Sequence, residues 1–138
     1  MNGKIKHTYE QYWHERIRVS VGEENKEKKV GEIFDTVSSV LNTGNRLLDV
    51  GCGDGGFALK IKDKFSKIYG AEIAKEAALI ARKQNVSASL VDLNLSLSYQ
   101  NNIFDAVTCL DVIEHLLDPD SFIEEIYRVL KPAGQLVL

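Results

Sequence analysis

The stretch "RLLDVGCGDGGFALKI", residues Arg46–Ile61, decides the fold class because it joins an apolar run, a glycine-rich turn and an amphipathic run. Four of the chain's ten glycines lie within Gly51–Gly56. Glycine adopts positive φ angles and lets a ligand approach the backbone closely, and the helix that follows offers unpaired N–H groups. A strand, a glycine-rich turn and a helix in this order predict a nucleotide-binding corner at the carboxyl end of the strand.

The spacing of the glycines leaves two classes of ligand open. Gly51, Gly53 and Gly56 match the G-x-G-x-x-G pattern of dinucleotide-binding proteins, whereas Gly51, Gly53 and Gly55 match G-x-G-x-G. Asp49 stands two residues before the first glycine. A carboxylate at the end of a strand repels a pyrophosphate and attracts an ammonium group or a bound water. Asp49 therefore weighs against the dinucleotide.

Strand-like apolar runs alternate with helix-like amphipathic stretches along the chain. The pattern predicts an α/β fold, a Rossmann-like doubly wound parallel sheet with helices on both faces. The predicted strands are Asn45–Val50, Lys67–Ile73, Ser87–Leu93, Phe104–Ile113 and Gly134–Leu138. The predicted helices are Tyr9–Val19, Lys28–Leu41, Phe57–Phe65, Ala74–Gln84 and a last one within Asp118–Pro132, with Pro132 just past its end.

The two ends of the chain lead to separate expectations. Residues 1–29 are predicted to form an N-terminal helical lid segment, and residues 30–138 the sheet domain. Aromatic side chains in the first segment either pack on the sheet or cover a ligand; they are Tyr9, Tyr12 and Trp13. The sequence ends on QLVL, whose last three residues are apolar, inside what the pattern predicts to be a central strand. We therefore expect a sheet truncated after its fifth strand, or a homodimer that covers this edge.

Composition and charge narrow the class of protein. The 138 residues suit one domain, and 44% hydrophobic with 27% charged residues is typical of soluble globular proteins. A net charge of -3 argues against a nucleic-acid partner, since proteins that bind nucleic acids usually carry a basic face. No apolar run approaches the ~20 residues of a membrane span. Cys52 and Cys109 are interpreted as reduced thiols of a cytoplasmic protein.

The segment "LLDVGCGDGG" resembles motif I of the class I S-adenosylmethionine-dependent methyltransferases. The resemblance covers about residues 30–138 and recurs at four successive strand ends, in "YGAEI", "LVDLN" and "FDAVTCLDVIEHLLDP" as well. The chain is similar to the methyltransferase type 11 group, which includes ubiquinone and menaquinone biosynthesis enzymes and methionine-biosynthesis-associated proteins. The resemblance implies S-adenosylmethionine as cofactor and methyl transfer to an O, N or C nucleophile of a small molecule.

The same resemblance implies which residues bind the cofactor. Glu72 matches the family's acidic residue that accepts hydrogen bonds from the ribose hydroxyls, and Asp92 matches the acidic position near the adenine amino group. Ile73 and Leu93 are expected to lie on either side of the adenine. Backbone groups of the glycine turn are expected to hold the amino acid moiety. The remaining cofactor-binding candidates are Asp49, Gly51, Cys52, Gly53, Gly55 and Asp111.

A polar cluster, Asp111, Glu114 and His115, follows the fourth predicted strand, where the family's acceptor site begins. Glu114 and His115 are the catalytic candidates, as general bases. The alternative is that both side chains cap the next helix and line the pocket. In metal-dependent branches of the family a similar E-x-x-E-H binds a divalent ion. Here Asp111 replaces the first glutamate, and we expect no metal.

Two other functions stay open. One is a nicotinamide-dependent oxidoreductase using the G-x-G-x-x-G match, against which Asp49, Asp92 and the segment "LKPAG" speak. The other is a non-catalytic or partner-dependent module that binds S-adenosylmethionine, since strands that normally close the family's sheet would follow Leu138. The expected partners are a small-molecule methyl acceptor and a second copy of the chain at the sheet edge, with no membrane.

Overall fold

The computed structural model describes residues 24–138. The predicted helix Tyr9–Val19, with Tyr9, Tyr12 and Trp13, lies outside the described residues. The helices are α1 Glu24–Val40, α2 Gly56–Ile61, α3 Lys75–Lys83 and α4 Pro119–Val129, with a 3-10 helix at Ile113–His115. The strands are β1 Gly44–Val50, β2 Phe65–Glu72, β3 Ser87–Leu90, β4 Phe104–Cys109 and β5 Leu130–Val137.

Within residues 24–138 the strands form one sheet in the order β3-β2-β1-β4-β5, and every neighbouring pair is parallel. This confirms the predicted parallel sheet. Along the chain, β2 and β3 are added in turn on one side of β1. The chain then crosses over, and β4 and β5 are added on the other side of β1. Ligands of such sheets bind beyond the carboxyl ends of the strands at this point of reversal. The glycine-rich turn after β1 lies there.

The two faces of the sheet carry separate apolar cores, as the doubly wound prediction requires. Leu47 of β1 packs with residues from α1, α2 and α3. The next residue, Leu48, packs with residues from α4 on the opposite face. Successive residues of a strand point to opposite faces of the sheet. Because helices cover both faces, both side chains are fully buried. No helix of residues 24–138 is long and apolar enough to cross a membrane.

The predicted helix Phe57–Phe65 is wrong at its carboxyl end. α2 ends at Ile61, and the N–H of Lys64 donates to the carbonyl of Ile61 in a closing turn (2.9 Å). Phe65 opens β2, where it pairs with Gly44 and is buried. The alternation of apolar and lysine residues in Phe57–Phe65 fits both a helix and a strand. Pairing with Gly44 of β1 makes Phe65 part of a strand.

The strands β4 and β3 end before the residues at which the sequence pattern placed their carboxyl ends. β4 stops at Cys109 and not at Ile113, because Asp111 has a φ of 54° and turns the chain. β3 stops at Leu90 and not at Leu93. Asp111 and Leu93 therefore lie in loops beyond the strand ends.

The fifth strand begins earlier than predicted, at Leu130, and α4 correspondingly ends at Val129 rather than directly before Pro132. Leu130 pairs with Phe104, but the next pairs of the ladder begin at Gln135. Residues 131–134 bulge out between them, with Ala133 at a φ of 62°. A proline is tolerated in this strand because the bulge removes it from the hydrogen-bond ladder.

The crossover from β3 to β4, residues 91–103, is held against α4 by one arginine. The guanidinium of Arg128 donates to the carbonyls of Leu97 and Tyr99 (2.8 and 2.7 Å). It also forms a two-point pair with the Glu125 carboxylate, which in turn accepts from the N–H of Leu97 (2.9 Å). A planar fork of donors suits this arrangement, and lysine could not reproduce it.

We expect Arg128→Gln to lower the free energy of unfolding by about 2 kcal/mol, because it removes charge-assisted bonds that fix residues 91–103. Chemical denaturation followed by circular dichroism measures the change. The control is Lys60→Ala, which removes an exposed ion pair with Asp35 and should cost less than about 0.5 kcal/mol. Equal effects of the two variants would contradict the assignment.

Candidate active site

The candidate site lies at the carboxyl edge of the sheet, around the glycine turn, residues 51–55. The turn needs glycine where φ is positive: Gly51 (71°), Gly53 (53°) and Gly55 (87°). The N–H of Gly51 donates to the carbonyl of Ala71 on β2 (2.8 Å). A Cβ on Gly51 would collide with the Val112 side chain. The loop after β4 therefore closes over the start of the glycine turn.

Glu72, the last residue of β2, ties the glycine turn to the neighbouring strand. Its Oε2 accepts from the N–H of Gly53 (2.9 Å), and its Oε1 accepts from the N–H groups of Ile73 and Ala74 (2.8 Å each). The residue is 5% exposed. Burial raises the pKa of this carboxyl, and the three backbone hydrogen bonds oppose the rise. One buried carboxylate thus organises two backbone segments.

Asp49 is the second buried carboxylate of the site. It lies at the end of β1, 3% exposed, between Gly70 of β2 and Thr108 of β4 in the strand register. The Thr108 hydroxyl donates to its Oδ1 at 2.7 Å. Burial raises the pKa of Asp49 to about 7; the Thr108 hydrogen bond lowers it, and the charge of Glu72 raises it further.

Cys52 fills the space that Gly70 leaves open. A Cβ on Gly70 would collide with the Cys52 Sγ, so the glycine turn packs down on the sheet only because β2 carries a glycine there. Cys52 is buried, and burial raises the pKa of its thiol. These contacts are those of a packing residue rather than of a nucleophile, which requires an accessible thiolate.

The structure brings Asp92 next to the end of β2. The N–H of Val91 donates to the carbonyl of Glu72 (2.8 Å), which joins the two strand ends. Asp92 Oδ1 accepts from the N–H of Asn94 (3.0 Å), an Asx turn that orients the carboxylate. Leu93 and Ile73, the two residues expected to flank the adenine, are each partly buried beside these carboxylates.

Asp111, Glu114 and His115 are exposed, in contrast to the buried carboxylates. They lie on the loop and 3-10 helix after β4. Asp118 is the N-cap residue of α4 and accepts from the N–H of Ser121 (3.1 Å). Among the described side chains no group of three or more His, Cys, Asp and Glu residues is placed to hold a metal ion.

Sequence reasoning missed three residues of the site: Gly70, Asn94 and Thr108. Asn94 Oδ1 accepts from the N–H of Leu117 (2.9 Å), which joins the loop after β3 to the loop after β4. Thr108 is a polar residue in the apolar run "AVTC", which is its sequence signal. Only the register of β1 against β4 connects it with Asp49.

The chain is similar in sequence to known proteins over most of its length. A family model described as "Methyltransferase domain" matches residues 48–138. The chain is 35% identical over 112 residues to the ubiquinone biosynthesis O-methyltransferase of Xanthomonas oryzae. The alignment covers 76% of this chain and 47% of that protein. It spans about half the length of the curated relatives it matches.

Solved structures share the fold at similar levels of identity. The cyclase SpnF aligns with a TM-score of 0.68 and 38% identity, over 76% of this chain and 42% of that one. Phosphoethanolamine N-methyltransferase 2 from Haemonchus contortus, described in complex with S-adenosylhomocysteine, aligns with a TM-score of 0.66 and 27% identity, over 78% and 27%. The sheet and its carboxyl edge thus occur in proteins named for different reactions.

We expect Asp49→Asn to change how stability depends on pH. The raised pKa means that the folded protein binds the Asp49 proton more tightly than the unfolded chain does. The stability from this proton is fully present below about pH 4 and is lost as pH rises to about 7. Relative to wild type, Asp49→Asn should therefore gain about 2 to 4 kcal/mol across that range.

Urea denaturation at a series of pH values measures this difference, which cancels the titration of other groups. Asp63→Asn, at an exposed position, is the matched control and should stay parallel to wild type. A constant difference between Asp49→Asn and wild type at every pH would contradict the prediction.

Proposed function

Because the chain belongs to the class I S-adenosylmethionine-dependent methyltransferases, we propose that it binds S-adenosylmethionine beside the glycine turn and transfers the methyl group to a small molecule. The observation that carries the proposal is the pair of buried carboxylates, Asp49 and Glu72, that flank this turn at the carboxyl edge of the sheet.

The chemistry of these carboxylates fits the cofactor. The amino acid moiety of S-adenosylmethionine carries an ammonium group and its ribose carries two hydroxyls, and carboxylate oxygens accept hydrogen bonds from both. A nicotinamide dinucleotide would also satisfy Glu72 through its ribose, but its pyrophosphate would meet the charge of Asp49. The relatives give no support to the oxidoreductase alternative.

The proposal gives each candidate residue a role. Glu72 accepts the ribose hydroxyls, Asp92 lies near the adenine amino group, and Ile73 and Leu93 pack against the adenine. Asp49 faces the ammonium group. The turn residues Gly51, Cys52, Gly53 and Gly55, together with Asp111, shape the space for the amino acid moiety. The bound cofactor supplies a methyl group already activated by a sulfonium, so these residues have to bind and orient it.

We propose the hydroxyl oxygen of a small molecule as the first acceptor class, because the curated relatives are named O-methyltransferases. Glu114 and His115 are the candidate bases for the hydroxyl proton. Their exposure after β4 leaves them accessible to a substrate that arrives from solvent. The Asn94–Leu117 hydrogen bond joins their loop to the loop of Asp92.

A second candidate function is a module that binds the cofactor without transferring methyl groups, alone or with a partner. The observation that favours it is the 38% identity to a protein named as a cyclase. A test of the function must therefore separate cofactor binding from methyl transfer.

We also propose a cellular location and an oligomeric state for this protein. A cytoplasmic location is supported by Cys52 and Cys109, both buried as free thiols. A homodimer through β5 is supported by the partly exposed Leu136 on that edge strand, and light scattering that shows a monomer would remove it. The role of residues 1–29 as a lid stays a prediction.

We expect wild type to bind S-adenosylhomocysteine with ~micromolar affinity in isothermal titration and not to bind NAD. Glu72→Gln should weaken this binding by about tenfold or more, because the amide cannot accept both ribose hydroxyls and the backbone N–H groups. Glu124→Gln, at an exposed position of α4, is the matched control and should bind like wild type. Binding of NAD instead, or of neither ligand, would contradict the cofactor assignment.

We expect labelled methyl groups to pass from S-adenosylmethionine to catechol, a small acceptor with aromatic hydroxyls. His115→Gln should slow this transfer by about a hundredfold while leaving the affinity for S-adenosylhomocysteine unchanged, because a general base acts on the acceptor. Mass spectrometry of the product identifies the methylated atom. Cofactor binding without transfer to hydroxyl, amine or carbon acceptors would favour the non-catalytic module.

A further inference from the structure

Thr108 is a buried hydroxyl in an otherwise apolar stretch of β4. The residue is 0% exposed, and its neighbours Val107 and Cys109 are buried as well. A hydroxyl in such surroundings destabilises the fold unless it is hydrogen-bonded, so its partner is informative. The Thr108 Oγ1 donates to Asp49 Oδ1 at 2.7 Å. β1 and β4 pair these two residues directly in the sheet.

Burial and a neighbouring charge oppose the ionisation of Asp49. Burial raises its pKa most, and the like charge of Glu72 at the end of β2 acts in the same direction. Cys52 of the glycine turn and Cys109 of β4 also interact with Asp49, but burial raises the pKa of both thiols, so they stay uncharged near neutral pH and add no charge beside the carboxylate. The Thr108 hydroxyl acts in the opposite direction, because a donated hydrogen bond stabilises a carboxylate.

The hydroxyl also sets the orientation of the carboxylate. Asp49 Oδ1 accepts from the Thr108 hydroxyl, which limits how the carboxylate can rotate about its bond to Cβ. Threonine is branched at Cβ and has restricted rotation, so a buried threonine holds its hydroxyl in one direction. The strand pairing on both sides of Asp49 fixes the backbone from which both side chains extend.

We propose that Thr108 is a positioning residue of the cofactor site, whose hydroxyl keeps the Asp49 carboxylate ionised and oriented to accept the cofactor's ammonium group. The inference rests on the proposed function, since it concerns the amino acid moiety of that cofactor. It predicts that cofactor binding weakens below neutral pH, where Asp49 takes up a proton, and that loss of the hydroxyl shifts this weakening to higher pH.

The test is the pH profile of S-adenosylhomocysteine binding, measured by isothermal titration on the 138-residue chain from about pH 5.5 to about pH 9. Thr108→Val, which replaces the hydroxyl by a methyl group of similar size, should weaken binding about tenfold at neutral pH and move the midpoint of the profile upward. Thr108→Ser retains the hydroxyl and should restore both values. In an Asp49→Asn background, Thr108→Val should have no further effect on affinity.

A merely structural role for Thr108 would lower stability without moving the midpoint of the pH profile. A Thr108→Val profile that coincides with that of wild type would therefore overturn the inference. So would a Thr108→Ser variant that behaves like Thr108→Val. Failure of wild type to bind at any pH is a different outcome, because it overturns the proposed function first.

If Thr108→Val does not fold, as judged by circular dichroism, Thr108→Cys replaces it. The thiol is close in size to the hydroxyl and donates a weaker hydrogen bond. Thr108→Cys should also move the midpoint of the pH profile upward, but by less than the shift expected for Thr108→Val. A Thr108→Cys profile identical to that of wild type would overturn the inference as well.

Discussion

The burial of the Glu72 carboxylate is the constraint on which the site depends. A buried carboxylate destabilises the fold unless its oxygens accept hydrogen bonds, and Glu72 obtains three of them from backbone N–H groups. One donor belongs to Gly53, so the glycine turn must lie over the end of β2. That position requires Gly70, because a larger residue there would collide with Cys52. The glycines of the turn and of β2 thus have a structural role, because they allow the buried Glu72 carboxylate to accept its hydrogen bond from Gly53.

Much of the fold could be predicted from the sequence, because apolar strands and amphipathic helices differ in period. The parallel sheet and helices on both faces follow from their alternation. Element ends were less predictable, since partners far away in the chain decide them. Phe65 continues the apolar pattern of α2 but pairs with Gly44 of β1. Beyond β4, the chain turns at Asp111 and places Val112 against Gly51, a contact between residues far apart in the sequence.

For the candidate site, the sequence identified the residues that stand at strand ends and missed those that act through pairing. Glu72 is at the end of β2 and Asp92 is just beyond β3, as the motif implies. Thr108 and Gly70 carry no motif of their own, and their importance depends on which strands become neighbours. The bulge at residues 131–134 escaped prediction for the same reason, since it concerns the pairing of β5 with β4.

The two halves of the edge differ in a way that bears on function. The half that we propose to bind the cofactor consists of buried groups, Asp49 and Glu72, whose positions the sheet determines. The half that we propose to receive the acceptor consists of exposed side chains, Glu114 and His115, on a loop joined to the other half through Asn94. Changes in an exposed loop leave buried carboxylates in place. Related folds can therefore share this sheet while being named for an O-methylation, an N-methylation and a cyclisation.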